Sequence, residues 1–218
     1  MDLLASHGFA FPLVVKPIRG RGSQGVIKTD NLTQLKQEAA HLLKEQVEMD
    51  GIAYSKYGKK LILEQYLSGQ EVTLTIMPPG NYHIGGKTQD IPTHWSLPPV
   101  IRFKHINGIA PYNGVVAVIE NSRIMEEGSC QRPAVKTLIA ECEKAGALVG
   151  AVAPIRIDCR EAEGGTFYIF DLNMKPNMTG AGRPGRGNQD SLSCIAARGI
   201  GWQYTDLLLN MLAQAWDS

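Results

Sequence analysis

The sequence predicts an α+β fold with mainly antiparallel strands, and three observations carry that expectation. Two apolar runs, Ala153 to Cys159 and Thr166 to Leu172, are joined by the turn Glu163-Gly164-Gly165 and read as a β-hairpin. A glycine-rich loop, Gly20 to Gly25, lies between the strand-like run Phe11 to Pro17 and the short β-type run Val26-Ile27-Lys28. Two amphipathic helices, Asn31 to Met49 and about Arg132 to Leu148, supply apolar stripes to cover such strands. A chain of 218 residues buries a substantial core, as one domain or two closely packed lobes.

Composition narrows the function classes. Hydrophobic content of 44% and charged content of 20% are ordinary for a globular protein, and a formal net charge of +1 argues against a broad nucleic-acid surface while leaving room for a local basic pocket. No apolar run approaches the ~20 residues of a membrane helix, and Met1 to Pro12 lacks a signal-peptide pattern. Cys130, Cys142, Cys159 and Cys194 are widely spaced with no CxxC. Reduced thiols and a cytoplasmic chain, without nucleic-acid or membrane partners, are the expectation.

The first strand, Phe11 to Pro17, places Lys16 directly after three apolar residues, where a lysine either snorkels to the surface or faces an anion. The loop beside it, Gly20-Arg21-Gly22-Ser23-Gln24-Gly25, has the spacing GxGxxG. A dinucleotide fingerprint needs a helix immediately afterwards, and here a β-type run follows. As a hairpin tip, its glycines let backbone N–H groups approach phosphates, and Ser23 adds a hydroxyl donor. A protein-kinase loop has the same strand-loop-strand form, but kinases place the lysine after the loop, and no HRD or DFG segment is present. A plain surface hairpin is the simpler alternative.

Leu32, Leu35, Ala39, Leu42 and Leu43 form the apolar side of the helix Asn31 to Met49, with Asn31 and Gln34 resembling a capping box. Asp50 to Lys60 is turn-rich and leads into the strand Lys59 to Leu67, followed by the strand Glu71 to Met77. Glu64 and Glu71 interrupt apolar surroundings. Each is either an exposed strand residue or an acceptor for an adenine amino group or a ribose hydroxyl, with the backbone of Gln65, Tyr66 and Leu67 offering further N–H and C=O groups.

The stretch Pro78 to Gly114 reads as a long loop holding Lys87, Trp95, Arg102, Lys104, His105, Tyr112 and Asn113 as candidates for contacting a polyanion. Val115 to Glu120 reads as a strand, and Ser129 as the cap of the helix Arg132 to Leu148. In the hairpin that follows, Arg156 and Asp158 share a face, and Asp171 and Asn173 take the same face of the partner strand. Two carboxylates and a carboxamide oxygen suit Mg²⁺, which completes its shell with water and substrate phosphates, and Arg156 suits the remaining phosphate oxygens. An ordinary cross-strand Arg–Asp pair accounts for the same residues.

Taken in order, Val14-Val15-Lys16-Pro17, the Gly20 to Gly25 loop, Leu63-Glu64-Gln65-Tyr66 with Gly69-Gln70-Glu71-Val72, Arg156-Ile157-Asp158, and Asp171-Leu172-Asn173 with Pro176-Asn177-Met178-Thr179 resemble the ATP-grasp superfamily, in particular its D-alanine–D-alanine ligase type. The segment Gly201 to Leu208 resembles the approach to that family's final helix.

The resemblance implies two lobes with mainly antiparallel sheets holding ATP between them, at about 1–66 and 67–218. It implies that Lys16 contacts ATP phosphates under a lid formed by Gly22, Ser23 and Gly25. Adenine would lie against Glu64, Gln65, Tyr66 and Leu67, and ribose against Glu71. Mg²⁺, or Mn²⁺ in its place, would be held by Asp158, Asp171 and Asn173, with Arg156 supporting the transferred phosphate. Asp171 departs from the family's usual glutamate.

The activity implied is an ATP-dependent carboxylate–amine ligase acting through an acyl phosphate, its substrates a small carboxylate and an amine or amino acid. A non-catalytic ATP-binding module and a small-molecule kinase are the alternatives. Members of the family usually begin with a separate N-terminal domain that contributes to substrate binding, whereas this chain starts essentially at the nucleotide-binding part. The expectation is therefore an excised fragment or one component of a larger assembly, with part of the substrate site missing; a homodimer is implied by the resemblance alone. The basic loop Thr179 to Gly187 is expected to clamp the substrate carboxylate through Arg183 or Arg186.

Overall fold

The structure, a computed structural model, describes residues 3–20, 22–111, 117–181, 185 and 190–215. It divides into two compact units, Met1–Leu67 with His105–Val115, and Ser68–Lys104 with Val116–Ser218. The return of His105–Val115 to the first unit departs from an uninterrupted division at 66/67. Two contacts within that unit account for it: the Ser23 hydroxyl donates to the Ala110 carbonyl at 3.1 Å, and Gly108 lies so close under the Tyr66 ring that a Cβ there would stand 2.6 Å from its hydroxyl.

The first unit contains α1 (Leu3–Ser6), β1 (Leu13–Pro17), β2 (Ile27–Thr29), α2 (Leu32–Lys44), β3 (Gln46–Met49), β4 (Ile52–Ser55) and β5 (Leu61–Gln65). β1 is central, antiparallel to β2 on one side and to β5 on the other, so the glycine loop is the tip of a hairpin. Period-2 alternation sends Leu13 and Val15 to a core shared with Leu35 and Leu42 of α2. α2 starts where Asn31 caps it, its side chain accepting the Gln34 N–H at 2.9 Å. Gln34 accepts the Asp30 N–H rather than that of Asn31, a capping box displaced by one residue.

The helix expected to reach Met49 ends at Lys44. Gln46–Met49 instead pairs with Ile52–Ser55 around Asp50 and Gly51, whose φ values are 53° and 76°. Asp-Gly is a preferred hairpin turn because both positions need left-handed backbone, and that preference overrides the weak helical pattern beyond Lys44.

The second unit contains β6 (Glu71–Met77), β7 (Gly80–Ile84), β8 (Lys87–Ile91), β9 (Trp95–Ser96), β10 (Val100–Arg102), a 3₁₀ turn (Val118–Glu120), β11 (Ser122–Ile124), α3 (Glu127–Cys130), α4 (Pro133–Leu148), β12 (Ile155–Glu161), β13 (Phe167–Asn173), α5 (Leu192–Arg198) and α6 (Tyr204–Gln214). Several of these correct the sequence reading. Among the described residues the stretch 78–114 holds four strands rather than one loop, with a hairpin turning at Gly85-Gly86. Residues 118–120 form a 3₁₀ turn, and the strand comes after them at Ser122–Ile124; Val115 and Val116 lie outside the described residues. Ser129 sits inside α3 and does not cap α4, which follows Arg132 with proline in its first turn, where the missing N–H would have gone unpaired in any case.

The main sheet runs β11–β10–β6–β12–β13, antiparallel at each step, and β9 also pairs with β6. Every residue of β6 is buried. One face presents Val72, Leu74, Ile76, Ile101, Ile155, Ile157 and Cys159 to Val135, Leu138 and Cys142 of α4. The Cys142 and Cys159 sulfurs meet there at 3.6 Å as free thiols, and that shared hydrogen bond, with burial, raises the Cys159 pKa. Asn210 of α6 accepts the His83 N–H of β7 at 2.7 Å, and the indole of Trp202, just before α6, donates to the His83 carbonyl at 2.8 Å. Among the described residues no helix is long and apolar enough to cross a membrane.

Candidate functional site

The same alternation that builds each core leaves an opposite, polar sheet face; Lys16 and Glu64 share that face in the first unit, and Glu71, Arg156, Asp158, Asp171 and Asn173 share it in the second.

In the first unit that face carries Lys16, Lys28 and Glu64. The Lys16 ammonium lies 2.8 Å from the Glu64 carboxylate, across the β1–β5 pair. Both are partly shielded, with side-chain exposures of 18% and 31%, so Lys16 is drawn across the sheet face by a carboxylate. Lys28 stands 5.1 Å from the centre of the Tyr66 ring, a cation–π distance. Gln65 points to the other side, where its amide accepts from the Ala10 N–H at 3.1 Å and donates to the Ala10 and Pro12 carbonyls at 2.8 and 3.1 Å. The Tyr66 N–H is spent on the Pro12 carbonyl at 3.2 Å. Leu67 is the last residue of the unit's first segment.

In the loop, Gly22, Ser23 and Gly25 all have left-handed φ, at 63°, 56° and 74°. The Ser23 hydroxyl, expected to donate to phosphate, donates instead to Ala110. Gly25 is doubly constrained, because a Cβ would also stand 2.9 Å from the Pro17 ring and 3.1 Å from that of Tyr57. Gly25→Ala is therefore expected to destabilise the chain by about 1–3 kcal/mol, read as a lowered midpoint of thermal unfolding.

In the second unit the polar face is a ladder. Arg156 is opposite Asn173, and Asp158 is opposite Asp171; on the other side of β12, Arg156 is opposite Thr75, Asp158 opposite Thr73 and Arg160 opposite Glu71. The ladder shifts just after Asp158, from Asp171 to Ile169, so the irregularity falls beside the two carboxylates. Asp158 is only 3% exposed. Its Oδ1 accepts from the Thr73 hydroxyl at 2.7 Å, and its Oδ2 from Arg156 Nη2 and Nε at 2.9 and 3.3 Å. Asp171 is exposed, and Asn173 is half-buried with its Oδ1 accepting from the Lys175 N–H at 3.2 Å.

Oxygen donors of this kind fit a hard divalent cation. A carboxylate offers about four acceptor sites, so the three bonds to Asp158 leave it one. Among the described residues no group of three or more His, Cys, Asp or Glu could hold a metal. Two carboxylates and one carboxamide are the donor types that an open cation site, completed by water and phosphate, would use.

Glu71 is deeply buried on the same face, with Arg160 at 3.8 Å and Arg102 opposite it on β10. Arg160 also donates to the Gly69 carbonyl at 3.2 Å, and Gly69 itself packs so tightly that a Cβ would lie 2.6 Å from the Glu161 carbonyl. Of the other candidates from the 78–114 stretch, Arg102 alone among the described residues is buried on this face. Lys87 is exposed on β8, Trp95 belongs to a ring cluster with Tyr82 and Trp202, Lys104 lies over Phe103, and His105 falls in the first unit. Tyr112, Asn113, Arg183 and Arg186 lie outside the described residues. Thr73 and Arg160 were not singled out from the sequence. Arg160 was within reach, since period 2 along β12 puts it in line with Arg156 and Asp158.

Comparison with known proteins bears on the fold that carries these residues. The ATP-grasp domain family matches residues 9–80. D-alanine–D-alanine ligase from Francisella tularensis subsp. novicida is 26% identical over 98% of this chain and 58% of its own length. Among solved structures, the Bacillus anthracis D-alanine–D-alanine ligase complexed with ATP superposes over 98% of this chain and 53% of that one, with TM-score 0.60 and 19% identity. A D-Ala:D-Ser ligase from Enterococcus faecalis does so over 98% and 52%, with TM-score 0.65 and 15% identity. The chain thus spans a little over half the length of the relatives it matches.

Proposed function

We propose, from the ATP-grasp fold of this chain, that it binds ATP and forms the ATP-using part of a carboxylate–amine ligase of the D-alanine–D-alanine ligase type. The observation that carries the reading is the pairing of Arg156 with Asn173 and of Asp158 with Asp171 on one sheet face, a row in which oxygen donors suit a divalent cation and a guanidinium suits a phosphate.

Lys16 neutralises ATP phosphates, and the backbone N–H groups of Gly22, Ser23 and Gly25 donate to them. Glu64 accepts from the adenine amino group beside the backbone of Leu67, and Glu71 serves the ribose. Mg²⁺ or Mn²⁺ held by Asp158, Asp171 and Asn173 would supply charge neutralisation at the phosphate oxygens. Arg156 donates to the phosphoryl group as it moves from ATP to the substrate carboxylate, releasing ADP. The amine then attacks the acyl phosphate, the amide bond forms and inorganic phosphate leaves. Such a site works by positioning and electrostatics and needs no side-chain nucleophile.

The test is incubation of the chain with ATP, Mg²⁺ and D-alanine or other carboxylate and amine pairs, following ADP together with product mass. ADP release coupled to a new amide is expected. A stable phosphorylated product would mark a kinase, and nucleotide binding without ADP release a non-catalytic module. Arg183 and Arg186 are assigned to the substrate carboxylate, so replacing both by alanine should raise its KM about tenfold or more with ATP affinity nearly unchanged; steady-state kinetics with each substrate varied decides this.

A further inference from the structure

We infer that Thr73 is the positioning residue for Asp158, setting which of its carboxylate oxygens is left for a divalent cation; the inference rests on the assignment of Asp158, Asp171 and Asn173 to that cation. Thr73 and Asp158 are directly opposite in the β6–β12 ladder and are 1% and 3% exposed, so water does not compete for their 2.7 Å hydrogen bond.

Arg156 donates to Oδ2 of Asp158 through both Nη2 and Nε, while Oδ1 is held by the Thr73 hydroxyl. An arginine beside a carboxylate ordinarily prefers the two-oxygen fork, and the terminal torsion of aspartate is soft enough to allow it. The hydroxyl of Thr73 prevents that rotation by keeping Oδ1 turned toward β6. Without it, the guanidinium would engage both oxygens and draw the carboxylate away from a metal.

Threonine suits the task because branching at Cβ stiffens χ1 and fixes the aim of the hydroxyl. Thr75, next along the same face, does not share the role, since its own hydroxyl donates to the Ser193 hydroxyl at 3.0 Å. The division of work is therefore specific: Arg156 supplies charge, and Thr73 supplies orientation.

The test measures ATP affinity by calorimetry with Mg²⁺ and with EDTA, for the unaltered chain, Thr73→Val and Thr73→Ser, with folding checked by circular dichroism. Residues that orient a metal ligand typically change metal affinity about 10–100-fold when replaced. Thr73→Val should thus lose about tenfold or more of the affinity gained from Mg²⁺, keep its affinity in EDTA within about twofold, and be rescued by Thr73→Ser. Should the valine variant fail to fold, Thr73→Ala compared with Thr73→Ser isolates the hydroxyl. A full Mg²⁺ gain in the variants lacking the hydroxyl, beside the same gain in the unaltered chain, would overturn the positioning role alone. No Mg²⁺ gain in the unaltered chain would remove the cation assignment and the inference with it.

Discussion

Asp158→Ala is expected to lower the stability of the chain by about 3–5 kcal/mol and to reduce ATP-dependent turnover by about 10²–10³-fold or more. The stability loss follows from what remains. Arg156 keeps its charge in a place where its side chain is 12% exposed, and the Thr73 hydroxyl loses its acceptor in the buried face. The loss of turnover follows from removing one of two carboxylates assigned to the cation. Asp158→Asn separates the two effects, because the amide oxygen still accepts from Thr73 while the charge is gone. It should keep more of the stability and lose the Mg²⁺ dependence as completely. Urea unfolding and ADP release, measured on both variants, check the pair of expectations.

Lys16→Met is expected to weaken ATP binding by about 10–150-fold, the worth of a charge-assisted hydrogen bond of about 1.5–3 kcal/mol, while leaving adenosine binding unchanged. The lysine stem lies in the sheet face, so methionine preserves most of its packing and removes the charge. Glu64 loses its partner but is 31% exposed, and at that exposure water takes over much of the solvation, so the cost in stability stays under about 1 kcal/mol. Calorimetry with ATP and with adenosine distinguishes a phosphate contact from a merely structural ion pair, which would leave both affinities unchanged.

Much of the fold was legible because its strands obey period 2 and carry their own turn signals. Ala153 to Leu172 reads as a hairpin from its apolar runs and Glu163-Gly164-Gly165 alone, and the structure differs there in strand ends, at Ile155–Glu161 and Phe167–Asn173, and in the register shift after Asp158. The failures have local causes. Val47 and Met49 extend the apolar spacing of α2 well enough to hide a hairpin, although Asp50-Gly51 signals one. The strands of residues 80–102 are short and interrupted by proline and glycine, so no run of alternation is long enough to stand out.

The candidate site was legible along each strand and not across strands. Arg156, Asp158, Asp171 and Asn173 follow from alternation within one hairpin, whereas Thr73 sits among Val72, Leu74 and Ile76 and reads as one more β-former. Its meaning comes from register with a strand 85 residues later, which propensity does not encode. The Ser23 hydroxyl illustrates the same limit, its acceptor being Ala110, 87 residues away.

The most direct test of the central claim is a calorimetric titration of ATP, or a non-hydrolysable analogue, with and without Mg²⁺, into this chain and into the double variant Asp158→Ala, Asp171→Ala. Nucleotide binding that Mg²⁺ strengthens and the double substitution weakens, with Mg²⁺-free affinity largely retained in the variant, is the predicted result. A folded chain that binds no nucleotide, or one whose Mg²⁺ response survives loss of both carboxylates, would contradict it.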